Sequence, residues 1–200
     1  MVAEIFKNEE TLFLKGYLKG LNLNEAIRAV NIAEEYHGGV YRKSGELYIS
    51  HPIRIASALI SLGIKDSEIL VGAILHDVLE DTSITEEVLF SEFSEEAVDI
   101  IIRVTNKPDM SKEEYYNQIA KNPKATVVKL ADRCHNVSTM NHFNLNKIKK
   151  YIKETEDYVL PLCSIVSNRF PEWSNEIYYM KYHIESIMEM TKGIISMYEN

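Results

Sequence analysis

The chain has 200 residues, of which 46% are apolar and 26% charged, a composition typical of a globular domain with a sizeable core. Its formal net charge of −8 argues against a general nucleic-acid-binding protein, which would present a basic face to phosphates. The two cysteines, Cys134 and Cys163, argue against a disulfide-stapled secreted protein and predict a cytoplasmic one.

Neither a membrane span nor a secretion signal is expected. The chain has no apolar run of about 18 residues, which is roughly the minimum for a membrane-spanning helix. The segment from Met1 to Lys7 has an early acid and no long apolar region, so it differs from a signal peptide. These features predict a protein that does not associate with a membrane.

Helix signals dominate the chain, and strand signals are scarce. A first amphipathic helix is predicted from Asn24, as its cap, to the Gly38-Gly39 pair, and a second from about Pro52 to Gly63. Further helices are predicted to start at Asp66, Ser83, Ser94, Ser111 and near Ala125. The C-terminal third predicts two long helices, the first kinked or broken at Pro161. We therefore expect an all-α fold, one compact helical bundle over residues 1–200.

Ionisable residues occupy three segments in which core residues would be expected. His51 begins a helix, where a histidine alone is more often a cap or a packed core residue than a metal ligand. His76 and Asp77 follow a buried apolar run, and Glu80 and Asp81 come one turn later on the same two helix faces. The alternative for this second segment is a frayed, solvated helix end.

The third segment places a carboxylate in an apolar helical stripe. Helical spacing aligns Val128, Asp132, His135 and Thr139, with Asn136 beside them. An unpaired buried carboxylate is costly, so Asp132 needs a partner, which a metal ion or Arg133 would supply. A purely structural ion pair between Asp132 and an arginine is the alternative. Four residues of the three segments form a set that suits Mn²⁺, Fe²⁺ or Zn²⁺ better than Ca²⁺: His51, His76, Asp77 and Asp132.

The same segments resemble the RelA/SpoT-type alarmone hydrolase domains of the HD superfamily of metal-dependent phosphohydrolases. Residues 37–52 (HGGVYRKSGELYISHP) are similar to the family pattern H-x-G-x-x-R-K-S-G-E-x-Y-I-x-H-P. Residues 76–82 (HDVLEDT) resemble HDVxEDT, and residues 129–136 (KLADRCHN) resemble KLADRxHN. Residues 154–162 resemble the segment ET-x-x-x-Y-x-PL. The likeness covers about residues 20–165, and the helices of residues 166–200 are expected to belong to the same domain.

The resemblance implies an enzyme that removes the 3′-pyrophosphate from guanosine alarmones and leaves GDP or GTP. The implied ligands of the metal, which is expected to be Mn²⁺, are His51, His76, Asp77 and Asp132. The implied residues for positioning and activating water and for handling protons are Glu80 and Asp81. The implied contacts to the nucleotide substrate are Arg42, Lys43, Ser44, Asn136 and Thr139. The implied groups that orient the ligands are His37, Arg133 and His135.

Departures from the family pattern leave the nucleotide preference open. They fall at Val40, Leu47 and Cys134, and at Asn106 within a stretch that is usually Val-Thr-Lys. The chain ends near the point where bifunctional relatives begin a synthetase domain, so we expect a small, hydrolase-only member of the Mesh1-like group. One alternative is a phosphohydrolase of another nucleotide, for example NADPH. Another is an alarmone-binding module without turnover, although the chain retains every implied ligand and acid.

Overall fold

The computed structural model describes residues 9–42 and 44–199, which divide after Met110 into two compact units. Both units are helical, and within these ranges the β pairing is one isolated bridge between Tyr41 and Leu47. The all-α prediction is therefore confirmed, and the single domain over residues 1–200 stays a prediction. Lys43 and the N-terminal segment 1–8 lie outside the described residues. Every helix in the described ranges is too short or too polar to cross a membrane.

The first unit contains seven helices in its described part. They are α1 (Glu9–Gly20), α2 (Asn24–Tyr36), α3 (Ser50–Ser61), α4 (Ser67–Leu75), α5 (Val78–Asp81), α6 (Glu86–Glu92) and α7 (Glu95–Val104). All residues from Ile69 to Leu75 are buried, and α4 packs against α2, α3 and α7. A helix that is apolar all round is stable only when its neighbours cover it, so α4 forms the centre of this unit.

The predicted helix starts at Asp66, Ser94 and Ser111 are confirmed. Each of these side chains accepts a hydrogen bond from a backbone N–H three residues later. The start predicted at Ser83 is wrong, because α6 begins at Glu86. The hydroxyl of Thr82 accepts a hydrogen bond from the N–H of Ile84, so the chain turns before this helix begins. Two other starts shift slightly: α2 begins at Asn24 itself, and the helix placed near Ala125 is capped by Asn122.

The second unit contains five α-helices in its described part. They are α8 (Lys112–Ile119), α9 (Pro123–Ser138), α10 (Leu145–Glu154), α11 (Leu160–Arg169) and α12 (Ser174–Glu199). Two short 3₁₀ turns accompany them, at Met140–His142 and Pro171–Trp173. The central helix is α9, which packs against α8, α11 and α12.

A π-helical segment, Thr155–Val159, joins α10 to α11. The N–H of Leu160 donates to the carbonyl of Thr155, five residues earlier, so the turn holds one residue more than an α-turn. Pro161 follows directly, at the start of α11. The predicted irregularity at Pro161 is therefore present, and it takes the form of a widened turn before the proline.

Candidate active site

The end of α4 places an imidazole and a carboxylate side by side. The helix stops at Leu75, and Asp77 has φ −101° and ψ −5°, so the short helix α5 starts anew at Val78. The continuous helix predicted through this segment is therefore wrong. His51, in the first turn of α3, completes the group, and both histidines are buried.

Three side chains converge at this break. The Nε2 atom of His76 lies 3.0 Å from Oδ2 of Asp77, and Nε2 of His51 lies 3.7 Å from the same oxygen. One ligand atom from each residue lies within 4.8 Å of the other two. Three of the four predicted metal ligands are thus brought together within the first unit.

The tautomer of His76 fits a bound cation. Its Nδ1 atom lies 2.9 Å from the carbonyl oxygen of Ala73. A carbonyl oxygen only accepts, so Nδ1 carries the proton and Nε2 of a neutral ring presents its lone pair to Asp77. Two electron-rich atoms this close repel each other unless a proton or a cation lies between them. Two imidazole nitrogens and a carboxylate oxygen are a donor set that divalent transition metals favour.

Tyr48 links this cluster to a second carboxylate. Its hydroxyl donates to Oδ2 of Asp77 and lies 2.7 Å from Oδ2 of Asp81. Burial raises the pKa of the phenol and the charge of Asp77 raises it further, so the hydroxyl stays protonated. Sequence reasoning assigned no role to Tyr48, although it lies inside the motif that includes His51.

His37 supports the ring of Tyr48. The two rings stack with centroids 4.6 Å apart, and His37 is buried. Burial lowers the pKa of His37, and the nearby Asp77 and Asp81 only partly offset this effect. The predicted orienting role of His37 would therefore act through the tyrosine.

Two of the predicted nucleotide contacts, Arg42 and Ser44, lie on a short hairpin. The bridge between Tyr41 and Leu47 closes it, and Gly45 turns it with φ +84°, a left-handed conformation that favours glycine. The guanidinium of Arg42 lies 6.0 Å from the centre of the Tyr48 ring. Ser44 is half-buried in the turn, and Lys43 lies outside the described residues.

The two predicted proton-transfer residues face different partners. Asp81 accepts a hydrogen bond from Tyr48, whereas Oε1 of Glu80 accepts one from the backbone N–H of Asn106. Both side chains are exposed, as groups that meet a substrate must be. Glu80 therefore also holds the loop after α7, in which the chain departs from the family pattern.

In the second unit, Asp132 forms its ion pair with a lysine. The Nζ atom of Lys129 lies 3.0 Å from Oδ2 of Asp132, and Asn136 donates to Oδ1. Burial lowers the pKa of Lys129, but Asp132 together with Tyr115 and Tyr116 raises it more, so the pKa lies well above its usual value. Sequence reasoning missed Lys129, although its spacing of three residues puts it on the same helix side. Membership of Asp132 in the metal set stays a prediction.

Arg133, which we considered as the partner of Asp132, pairs with Glu154 instead. One of its nitrogens lies 2.9 Å from Oε1 of Glu154, and the guanidinium also donates to Tyr116 and Thr155. Its carbon Cζ lies 4.0 Å from the centre of the Tyr151 ring. Neighbouring residues on a helix do not face each other, which explains why Arg133 and Asp132 have different partners.

His135 and Thr139 lie at the end of α9. The hydroxyl of Thr139 donates to the carbonyl of His135 at 3.1 Å, which closes the last turn of the helix. Both residues are partly exposed. Their predicted roles toward the ligands and the nucleoside stay predictions.

Comparisons with known proteins find similarity over most of the chain. The HD domain family matches residues 29–163. The chain is 35% identical over 168 residues to a guanosine-3′,5′-bis(diphosphate) 3′-pyrophosphohydrolase of Aquifex aeolicus, covering 78% of this chain and 24% of that protein. It is 32% identical over 171 residues to a probable GTP pyrophosphokinase of Mycobacterium leprae, covering 81% of this chain and 22% of that protein. The chain thus spans about a quarter of the length of these curated relatives.

A solved structure shares the fold. It is described as "A metazoan ortholog of SpoT hydrolyzes ppGpp and plays a role in starvation responses". The TM-score is 0.66 at 18% identity, and the match covers 84% of this chain and 95% of that one.

Proposed function

The chain belongs to the HD-domain family, and on that premise we propose that it hydrolyses guanosine 3′,5′-bis(diphosphate), ppGpp, and the corresponding pentaphosphate at the 3′ position. The products are GDP or GTP and pyrophosphate. The observation that carries the proposal is the group of His51, His76 and Asp77, joined through Tyr48 to the exposed carboxylate of Asp81. The name of the Aquifex aeolicus relative, which is 35% identical to this chain, supports the substrate.

One divalent ion, which we propose to be Mn²⁺, would be held by His51, His76 and Asp77, with Asp132 as the fourth ligand that the family motif implies. Such an ion polarises a phosphoryl oxygen and lowers the pKa of water. The fit rests on the donor set and on the tautomer of His76, which presents Nε2 to the shared site.

The protein's own side chains would complete the chemistry. Water attacks the phosphorus bonded to the 3′ oxygen, the bond from phosphorus to that oxygen breaks, and the oxygen gains a proton. Asp81 and Glu80 are the proposed carboxylates that accept the proton of water and return one. Arg42, Lys43 and Ser44 would bind phosphates, and Asn136 and Thr139 the nucleoside. A negatively charged protein needs such local cations to bind an anionic substrate.

The partners follow from this assignment. The protein would act on a small nucleotide, without nucleic acid or membrane, in the cytoplasm. Both cysteines are free thiols, which agrees with a reducing compartment.

Product analysis tests the proposal. The protein is incubated with ppGpp and Mn²⁺, and the nucleotides and phosphates are separated by anion-exchange chromatography. We expect GDP and pyrophosphate in equal amounts. Release of orthophosphate alone, or faster turnover of another nucleotide such as NADPH, would contradict the substrate assignment. Tight binding of ppGpp without turnover would show a binding module.

A further inference from the structure

Helix α12 is apolar on two sides. Ile177, Met180, Ile184 and Met188 are buried within its unit. A second set of side chains faces solvent, with exposed fractions between 47% and 80%. This set, which we call the tyrosine face, comprises Tyr178, Tyr179, Tyr182, Met190, Ile194 and Met197. Contiguous exposed apolar surface of this kind marks an interaction site.

Most charged groups of α12 are engaged within the chain. Lys181 pairs with Glu185 along the helix, and Lys192 pairs with Glu156. Glu199 pairs with Lys149. Four of the six Lys and Glu side chains of this 26-residue helix are thus paired within the chain.

The tyrosine face is symmetric about the middle of its helix. Ser186 is exposed at the centre of Ser174–Glu199. At equal distances on either side of Ser186, Tyr179 corresponds to Gly193 and Tyr182 to Met190, so a large side chain is matched by a small or a flexible one. Gly193 leaves open space beside its Cα, since a Cβ there would have no atom within 4 Å.

We propose that the tyrosine face binds a second copy of this chain, with the two α12 helices antiparallel and a two-fold axis at Ser186. Such symmetry places Tyr179 of one copy over Gly193 of the other and lets the helix axes come close.

The area agrees with a dimer. Aromatic side chains bury roughly 150–250 Å² each when fully covered. At the observed exposures, the six side chains would contribute roughly 600 Å² per copy, which gives a total near the lower limit of about 1,200 Å² for stable interfaces. A lipid surface suits this face less well, because the rim carries Glu185 and Glu189 instead of the lysines and arginines that anionic lipids attract.

Sedimentation velocity with the full chain tests the proposal. We expect a dimer for the wild type and a dissociation constant raised roughly thirtyfold or more for Tyr182→Lys, the scale of an interface hot spot. Phe13→Lys is the matched control, since Phe13 is an exposed aromatic residue on α1, and it should leave the dimer intact. Circular dichroism checks that both variants keep their helices.

A cysteine on the axis gives a second, independent measurement. Ser186→Cys should form an intermolecular disulfide under mild oxidation, because the axis brings residue 186 next to its own copy. Ser91→Cys, an exposed site on α6, should remain monomeric on the same non-reducing gel. A monomeric wild type at high concentration would overturn the proposal. The proposal would also be overturned if the protein sedimented with neutral lipid vesicles and did not self-associate. Equal cross-linking of the two cysteine variants would overturn it as well.

Discussion

The hydroxyl of Tyr48 lies 2.7 Å from Oδ2 of Asp81 and also donates to Oδ2 of Asp77. The phenol of Tyr48 therefore fixes the distance between Asp77, a proposed metal ligand, and Asp81, a proposed proton-transfer group. The ring is held in turn by stacking on His37. Carboxylates that move independently would lose this spacing, so the hydroxyl is a positioning group for both.

Tyr48→Phe should keep the stacked ring and remove the bridge. We expect metal affinity or turnover to fall by roughly 10- to 100-fold, the scale for losing a group that orients metal ligands. Titration calorimetry with Mn²⁺ and steady-state kinetics measure the two effects separately. Tyr17→Phe, an exposed position in α1, is the control. Unchanged affinity and unchanged turnover would show that the bridge has no functional role.

Asp77→Ala should abolish binding of the divalent ion. Asp77 is the residue whose oxygen both histidines approach, so its loss removes the centre of the cluster. Metal content measured by atomic emission should fall from one ion per chain to nearly none, together with activity. Asp99→Ala removes a surface carboxylate that pairs with Arg103 and should retain the metal. A metal-loaded Asp77→Ala protein would show that the site lies elsewhere.

Substitution of Glu80 and Asp81 should separate catalysis from metal binding. In Glu80→Gln the amide oxygen can still accept the hydrogen bond from Asn106, so the loop after α7 should stay in place. Asp81→Asn likewise keeps an acceptor for Tyr48. Turnover should fall by roughly a hundredfold or more, while the metal content stays the same.

Rapid-quench kinetics and metal analysis of these two variants decide the assignment. Glu87→Gln, an exposed position in α6, serves as the control. Loss of metal in either variant would make that carboxylate a ligand. Turnover near the wild-type rate in both would exclude them as proton-transfer groups.

The ion pair between Arg133 and Glu154 in the second unit should make the free energy of unfolding depend on pH. Burial raises the pKa of Glu154, but Arg133 and Tyr116 outweigh it and lower the pKa to about 2. A depressed carboxyl pKa stabilises the fold above the ordinary value of 4.5, and this contribution is lost as pH falls toward 2. Glu154→Gln should therefore cost about 3 kcal/mol at neutral pH, and the difference should shrink between pH 5 and pH 2.

Denaturant unfolding of both proteins across this pH range measures the effect. Glu156→Gln is the control, because its ion pair with Lys192 is exposed and should contribute at most about 1 kcal/mol. A difference between wild type and Glu154→Gln that stays constant down to pH 2 would contradict the assignment.

Local signals were sufficient for much of the helical framework. The caps at Ser94 and Ser111 could be predicted because the acceptor and its N–H lie three residues apart in sequence. The break in the helix after Leu75 could not be predicted, because neither a proline nor a glycine marks it. Apolar residues also continue at helical spacing up to Leu79. The start at Glu86 was missed because Ser83 satisfies the same spacing rule as a true cap.

The site was predictable only where its residues form compact motifs. His51, His76 and Asp77 could be named from type and order, and the structure brings them together. Contacts made through the fold were not predictable: Tyr48 lies 29 residues from Asp77, and Glu154 lies 21 residues from Arg133. Neither pair produces a periodic pattern in the sequence, because each depends on how segments distant in sequence pack together.

The π-turn at Thr155–Val159 makes the length of this segment critical. Each residue advances an α-helix by about 100°, so deleting one residue here would restore an α-turn and rotate α11 by about that angle. Leu162, Cys163 and Val166, which are buried, would then leave the core side together. Many substitutions at exposed Glu156 should be tolerated, whereas its deletion should prevent folding. We therefore expect this stretch to tolerate changes in the identity of its exposed residues better than changes in its length.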